Sequence, residues 1–487
     1  MKKLSIILLT GLILTGLGCK KGSLDTPNPN NPTAVTPELV LPSAMETTAS
    51  GQITDFAFLQ EWMGYWAPSG SYAINASDLS TYKQTTNFGD GLWIKYYRNL
   101  EDYQYVETNA TAQGKPFYEA AAKVMKAYVF QQLVDMFNNV PYTQALQGTK
   151  YIQPAYDNGQ SIYESEMSDL TTAVNLFQGP NVAGTATSDV MFAGDASKWV
   201  QFANTLKLRM LMRQTQIPGR SAYIQAQIDS ILSQTPTNPF LTTDAGVNPG
   251  YTSAQPNPFY ASNINLAGTY IQDYWRANQY VITFDSANND PRTTRLYAPT
   301  SCCGTYQGNV IGSATNHAAN SASTFGPGIL KSPSQSAILI SAAESYFLQA
   351  EGSVRGFLYA GQAEILYDLG VQASFDYLGA GDASTYYNQP GNKNTTFAAN
   401  TSMSDQIAVI IRQKWMAMNM VTPFEAWADY RRLHLPSDIP LSVSPYVVSD
   451  IIPFRIQYPT SEYNTNSTNV NAQGVIDPQS SKVFWMP

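Results

Sequence analysis

Residues Pro116 to Phe137 read PFYEAAAKVMKAYVFQQLVDMF. Phe117, Ala121, Val124, Tyr128, Val129, Leu133 and Phe137 recur at three- and four-residue steps, the spacing of one helix face. Pro116 falls in the first turn, where a missing N–H costs nothing, and Pro141 lies beyond the end. The pattern therefore predicts a helix over 116–137. Moving outward, a helix begun near Leu92 runs through Asn109, and the same periodicity returns in Ile162–Phe177 and Ser197–Gln214. It recurs again in Tyr223–Leu232, Ser341–Val354, Gly361–Leu378 and Ser404–Met420. Two pairs, 116–137 with 162–177 and 341–354 with 361–378, have the look of helical repeats of about 34 residues. An ordinary helical domain fits the periodicity equally well. Thr235 to Ser336 breaks the pattern, being dense in Pro, Gly, Asn and Tyr, and reads as an irregular insertion with short strands and turns.

Composition narrows the function. The chain has 487 residues, is 44% hydrophobic and only 13% charged, so Asn, Gln, Ser and Thr supply its polarity alongside 31 Tyr and 8 Trp. Such a neutral, aromatic surface suits uncharged polar ligands better than phosphates. A net charge of −8 lacks the basic footprint that nucleic acid requires. Two histidines and three cysteines leave little for a zinc site built from several such ligands. The sequence implies no cofactor and no metal.

The N-terminus carries an address. Met1-Lys2-Lys3 followed by an apolar run from Leu4 to Leu17 is a secretory signal, too short to span a bilayer. Cys19 follows Thr15-Gly16-Leu17-Gly18, a lipobox-like setting with Gly16 where leucine is usual. Residues 1–18 are thus expected to be a signal peptide and 19–37 a tether lipidated at Cys19 with palmitate-type chains. The tether segment LDTPNPNNPTAVTP is proline-rich, extended and solvated.

A family likeness lies in several segments taken together. Asn28 to Leu41, the ending Asn139-Val140-Pro141-Tyr142 and Ser345 to Glu351 with Gly356 each contribute. So do Glu425 to Arg432, Arg455-Ile456-Gln457-Tyr458-Pro459, and Asp290-Pro291-Arg292. In order and spacing these resemble SusD/RagB-type nutrient-binding lipoproteins, particularly the second SusD-like subgroup. The resemblance implies a mainly α fold: a tetratricopeptide-like scaffold over 38–487 with a loop-rich subdomain at about 235–336. It implies a lipid-anchored, surface-exposed outer-membrane protein. Such a protein captures oligosaccharides for a SusC-like TonB-dependent transporter and does not cleave them. Lys20-Lys21 stand where acidic residues often accompany surface export in this family.

Sugars offer flat C–H faces rimmed by hydroxyls, so a site for them needs aromatic planes flanked by amides or carboxylates. Two regions supply that mixture. In Glu61 to Tyr82, Trp62 reads as core, whereas Trp66, before Pro68 and Gly70, and Tyr72 with Asn75 read as binding surface. In Tyr270 to Tyr306 the candidates are Tyr274, Trp275, Asn278 and Tyr306. Packing within the subdomain is the competing role for each. Cys302 and Cys303 are adjacent, so either a vicinal disulfide or free thiols fits an oxidising compartment. Arg431-Arg432 beside Asp429 and Glu425 reads as structural ion pairing. Two other classes compete. A glycoside hydrolase needs two carboxylates across a cleft. A peptide-docking lipoprotein would use the concave face of helical repeats.

Overall fold

The computed structural model describes residues 35–72, 76–180 and 182–487. The signal peptide, Cys19 and the tether up to residue 34 lie outside the described residues, as does Asn75. Residues Pro37–Pro487 form one compact unit.

Its frame is helical. The helix Pro116–Phe137 has the bounds its periodicity predicts, with proline at the first turn. It is buried on nearly every side because neighbours cover it: Asp90–Gln113, Gly159–Phe177 and the N-terminal helix Pro37–Thr54 all pack on it. Gly159–Phe177 starts where the Asn158 side chain accepts the N–H groups of Gln160 and Ser161. Ala196–Arg213 starts likewise on Asp195, which accepts from Ser197 and Lys198. A second pair, Ala342–Val354 and Ala363–Leu378, packs side by side and is extended by Met403–Met418 and Pro423–Leu433. Gly379 ends the 363–378 helix at φ +69°, the left-handed cap that glycine takes without strain. Aromatic rings fill the seams. Trp199 is fully buried, stacked 5.7 Å from Phe177 and edge-on to Phe192 and Phe202.

Ionic side chains cross the same core. Arg209 makes a two-point contact with Glu344, and Arg213 joins Asp135 to Glu425. Arg432 is bidentate to Glu351 and reaches Asp429, which also meets Lys414 at 2.9 Å. Arg432 is therefore a structural ion-pairing residue, as its spacing predicts, whereas the buried Arg431 donates instead to the carbonyl oxygens of Trp427, Asp135 and Phe454.

Between residues 235 and 336 the chain forms short pieces. Strands Ala245–Val247, Trp275–Ala277, Tyr297–Ala298 and Thr324–Phe325 alternate with helices Pro258–Asn263, Gln279–Ala287 and Thr293–Leu296. Each strand pairs antiparallel with one partner, so the sheets are two-stranded. Among the described residues, no helix is long and apolar enough to cross a membrane.

Candidate functional site

One of these small sheets joins the two aromatic regions. Trp66–Pro68 pairs with Trp275–Ala277, placing Trp66 opposite Ala277 and Pro68 opposite Trp275. The turn that launches the first strand depends on Gly64 at φ +74°, where an added Cβ would come 3.0 Å from the Tyr280 ring. Beyond the strand, Ser69 N–H donates to Tyr274 O at 2.7 Å and Gly70 N–H to His317 O at 2.8 Å. A Cβ on Gly70 would fall 1.9 Å from Asn316 O, so that close approach requires glycine. Asn309 then clamps three segments, with its Nδ2 donating to Pro68 O and His317 O and its Oδ1 accepting from His317 N–H.

Aromatic rings run from core to surface along this sheet. Trp66 stacks on Phe325 at 4.6 Å and lies 5.6 Å from Trp275. Tyr274 meets Trp275 edge-on at 4.7 Å, and Tyr72 meets Tyr274 edge-on at 5.1 Å. Exposure rises from 2% at Trp66 to 41% at Tyr72. Tyr72, Tyr274 and Trp275 thus form the accessible end of the series, with Tyr274 and Trp275 half-buried.

Hydrogen-bonding groups surround those rings. Gln272 Oε1 accepts the N–H groups of Tyr274 and Trp275, while no protein acceptor takes its Nε2 among the described residues. The Asp273 carboxylate beside the Tyr72 hydroxyl raises that phenol's pKa above its ordinary value. Arg276 is buried and spends its guanidinium on the carbonyls of Ala319, Gln272 and Trp275. Neither Gln272, Asp273 nor Asn309 stands out in the sequence, because none belongs to a periodic or motif-like pattern.

Two expectations need correction. Trp66 is a core residue, not an open surface, since Phe259, Phe325 and Trp275 pack around it. Asn278 is 2% exposed and acts as a clamp: its Nδ2 donates to Trp66 O at 3.2 Å and its Oδ1 accepts from Tyr280 N–H, capping Gln279–Ala287. Trp62 is buried, as read. Tyr306 is half-buried against the core and, among the described residues, makes no ring contact with the three surface aromatics. Cys302 and Cys303 are joined as a vicinal disulfide. They sit on an exposed turn closed by Thr300 N–H to Thr305 O and Gly304 N–H to Thr300 O. Ser301 ties that turn to Asn320 O, next to Ala319, which receives Arg276 and donates to Ser71 Oγ.

Glu61 lies under this surface. It is 1% exposed, Ser80 Oγ donates to its Oε1 at 2.6 Å, and Oε2 has no partner. Burial pushes its carboxyl up to about 7 from 4.5. Folded Glu61 therefore keeps its proton over a pH range where the unfolded chain releases it. The resulting stabilisation is complete below pH 4.5 and is lost as pH rises through about 7. It amounts to about 3 kcal/mol. In Glu61→Gln, urea unfolding measured between pH 4.5 and 7 should show that much less decline than in the parent. An unchanged slope would place the titration elsewhere.

Among the described residues, no group of three or more His, Cys, Asp or Glu side chains is placed to hold a metal ion. The geometry is that of a shallow aromatic surface with polar groups at its edge.

Comparison with known proteins agrees with this architecture. Residues 29–459 match the SusD-like family model described as starch-binding and associating with the outer membrane. A chitin-binding SusD homologue from Flavobacterium johnsoniae superposes with a TM-score of 0.77 at 21% identity, covering 92% of this chain and 98% of that one. A SusD-like protein from Bacteroides thetaiotaomicron gives 0.76 at 22% identity, with the same coverage. A SusD homologue from Bacteroides uniformis gives 0.74 at 24% identity, covering 92% of this chain and 99% of that one. Among curated proteins there is no significant match. The family match spans most of the chain, and the solved structures share its helical fold: this protein belongs to the SusD-like family.

Proposed function

We propose that this protein captures uncharged oligosaccharides at the outer membrane and passes them, uncleaved, to a SusC-like TonB-dependent transporter. In this reading Cys19 carries the lipid anchor and the proline-rich tether holds the body at the cell surface. The observation that carries the proposal is the Tyr72–Tyr274–Trp275 surface, three rings in edge-on contact, the innermost on a paired strand, with hydrogen-bonding groups beside them. Pyranose C–H faces can lie on such rings while hydroxyls meet Gln272, Asp273 and the Trp275 indole N–H. Charge favours a neutral ligand. Segments 245–272 and 299–330 contain no Asp, Glu, Lys or Arg, and Arg276 is already committed to carbonyl oxygens. A uronate or sulfate would lose its hydration there without gaining a cation. The family description names starch and a structural relative binds chitin, both uncharged polymers.

Calorimetry with maltooligosaccharides, N-acetylchitooligosaccharides, oligogalacturonate and short peptides tests this, with each mixture checked for hydrolysis. Binding of a neutral glycan without product is the expected result. Product formation would make the protein a glycoside hydrolase. Binding of peptides alone would make it a docking lipoprotein.

A further inference from the structure

A separate cavity of about 230 Å³ opens between helix Asp90–Gln113, the segment 141–154 and helix Thr460–Thr465, none of which carries a residue of the aromatic surface. Trp93, Tyr97 and Tyr151 supply its aromatic lining, and Glu101, Gln144 and Glu462 its polar lining. Trp93 is 4% exposed, packed 5.0 Å from both Tyr97 and Phe137, yet its indole N–H reaches no acceptor among the described residues. Tyr97 is fixed by donating its hydroxyl to Pro141 O at 2.7 Å. Glu462 is oriented by Tyr156 Oη–H at 2.8 Å and Asn466 Nδ2–H at 3.2 Å, both on Oε2, which leaves Oε1 open. Gln144 Oε1 accepts Ala155 N–H, leaving its Nε2 open. Glu101 and the Tyr151 hydroxyl also have no protein partner among the described residues.

We propose that this cavity is a second saccharide site, taking a single neutral pyranose unit. Tyr97 and Tyr151, both partly exposed, provide ring faces for C–H groups, while the packed Trp93 contributes its N–H. The unused groups are of both kinds, with donors on Trp93, Gln144 and Tyr151 and acceptors on Glu101 and Glu462, which matches hydroxyls that donate and accept at once. Two carboxylates disfavour anionic sugars, and Lys150 is engaged by Gln147 Oε1 at 2.9 Å and by the Tyr151 ring. The proposal goes beyond the surface site and shares with it only the class of ligand. A chain with two such sites would hold a long glycan at two points, gaining avidity without tight binding at either.

Fluorine NMR of the full chain carrying 5-fluorotryptophan separates the two sites, since Trp93 reports one and Trp275 the other. Each resonance is identified by its Trp→Phe variant. Titration with maltotetraose and with N-acetylchitotetraose should shift Trp93 saturably. The shift should persist in Trp275→Ala, and its midpoint should rise at least tenfold in Tyr151→Ala and in Glu101→Gln. Both replaced side chains are at least partly solvent-facing, so the fold survives. A Trp93 resonance that no probe moves overturns the second site. So does a shift that vanishes with Trp275→Ala or is indifferent to both cavity variants. Movement of Trp275 alone would leave the surface site standing, whereas movement of Trp93 alone would remove it.

Discussion

Replacing Arg209 with alanine is expected to lower the unfolding free energy by about 3–5 kcal/mol. Arg209 is fully buried, and its guanidinium binds both oxygens of an equally buried Glu344 at 2.7 and 2.9 Å. It also lies 3.5 Å from Glu425, itself held by Arg213 at 2.6 Å. Burial alone would raise the Glu425 carboxyl, yet Arg209 and Arg213 hold it below its ordinary value. Truncation leaves Glu344 without its cation in a site closed to water, and the desolvation already incurred is no longer offset. The loss extends beyond one pair because the network joins four helices, 116–137, 196–213, 342–354 and 423–433. Asp135 takes Arg213 from the next layer and the indole N–H of Trp485 from the C-terminal segment at 2.6 Å. Urea denaturation checks the expectation: the midpoint falls while the dependence on denaturant is unchanged. The paired variant Arg209→Met with Glu344→Leu should recover much of the loss, since apolar replacement of both partners removes the stranded charge. A single-variant cost below about 1 kcal/mol would mean that water reaches Glu344.

The contrast between this core and the aromatic surface explains what could be read from the sequence. Helix 116–137 was legible to the residue because its periodicity and both prolines are local signals. Helices 196–213 and 342–354 were placed within one residue of their predicted starts, where Asp195 and Ser341 act as caps. The opening helix Pro37–Thr54 was not foreseen. Pro42 lies inside it and the preceding segment reads as tether, so local composition obscured it. Residues around the candidate site were legible as a composition but not as an arrangement. Nothing near Trp66 announces that Phe259, Trp275 and Phe325, about 200 or more positions away, will enclose it. Asn278 carries the amide a sugar would want, yet the strand beside it and the helix after it both need that amide first. Buried ionic partners follow the same rule. The acidity of Glu425 and Asp429 beside Arg432 is local, whereas Glu351 arrives from another helix.

Trp275→Ala should weaken oligosaccharide binding by about 10- to 30-fold, or roughly 1.4–2 kcal/mol, while the protein stays folded. Trp275 is the inner ring of the surface series, 4.7 Å from Tyr274 on its outer side and 5.6 Å from the core residue Trp66 on the other. It is half-buried, so its removal takes away a plane that a sugar can reach and an indole N–H that no protein group uses among the described residues. Tyr274 would also lose the edge contact that holds it upright between Trp275 and Tyr72. Trp275→Phe keeps a plane but no donor, and should fall between the parent and the alanine variant. Trp66→Ala provides the opposite control. That ring is 2% exposed, so its loss should appear as about 3–5 kcal/mol of stability rather than as a selective loss of affinity. Calorimetric titration alongside thermal unfolding separates the two effects. Equal affinities for the parent and Trp275→Ala, within twofold, would remove the surface rings from the binding site. A collapse of stability in Trp275→Ala would instead assign that residue to the core with Trp66, leaving Tyr72 and Tyr274 as the only members of the series a glycan could touch.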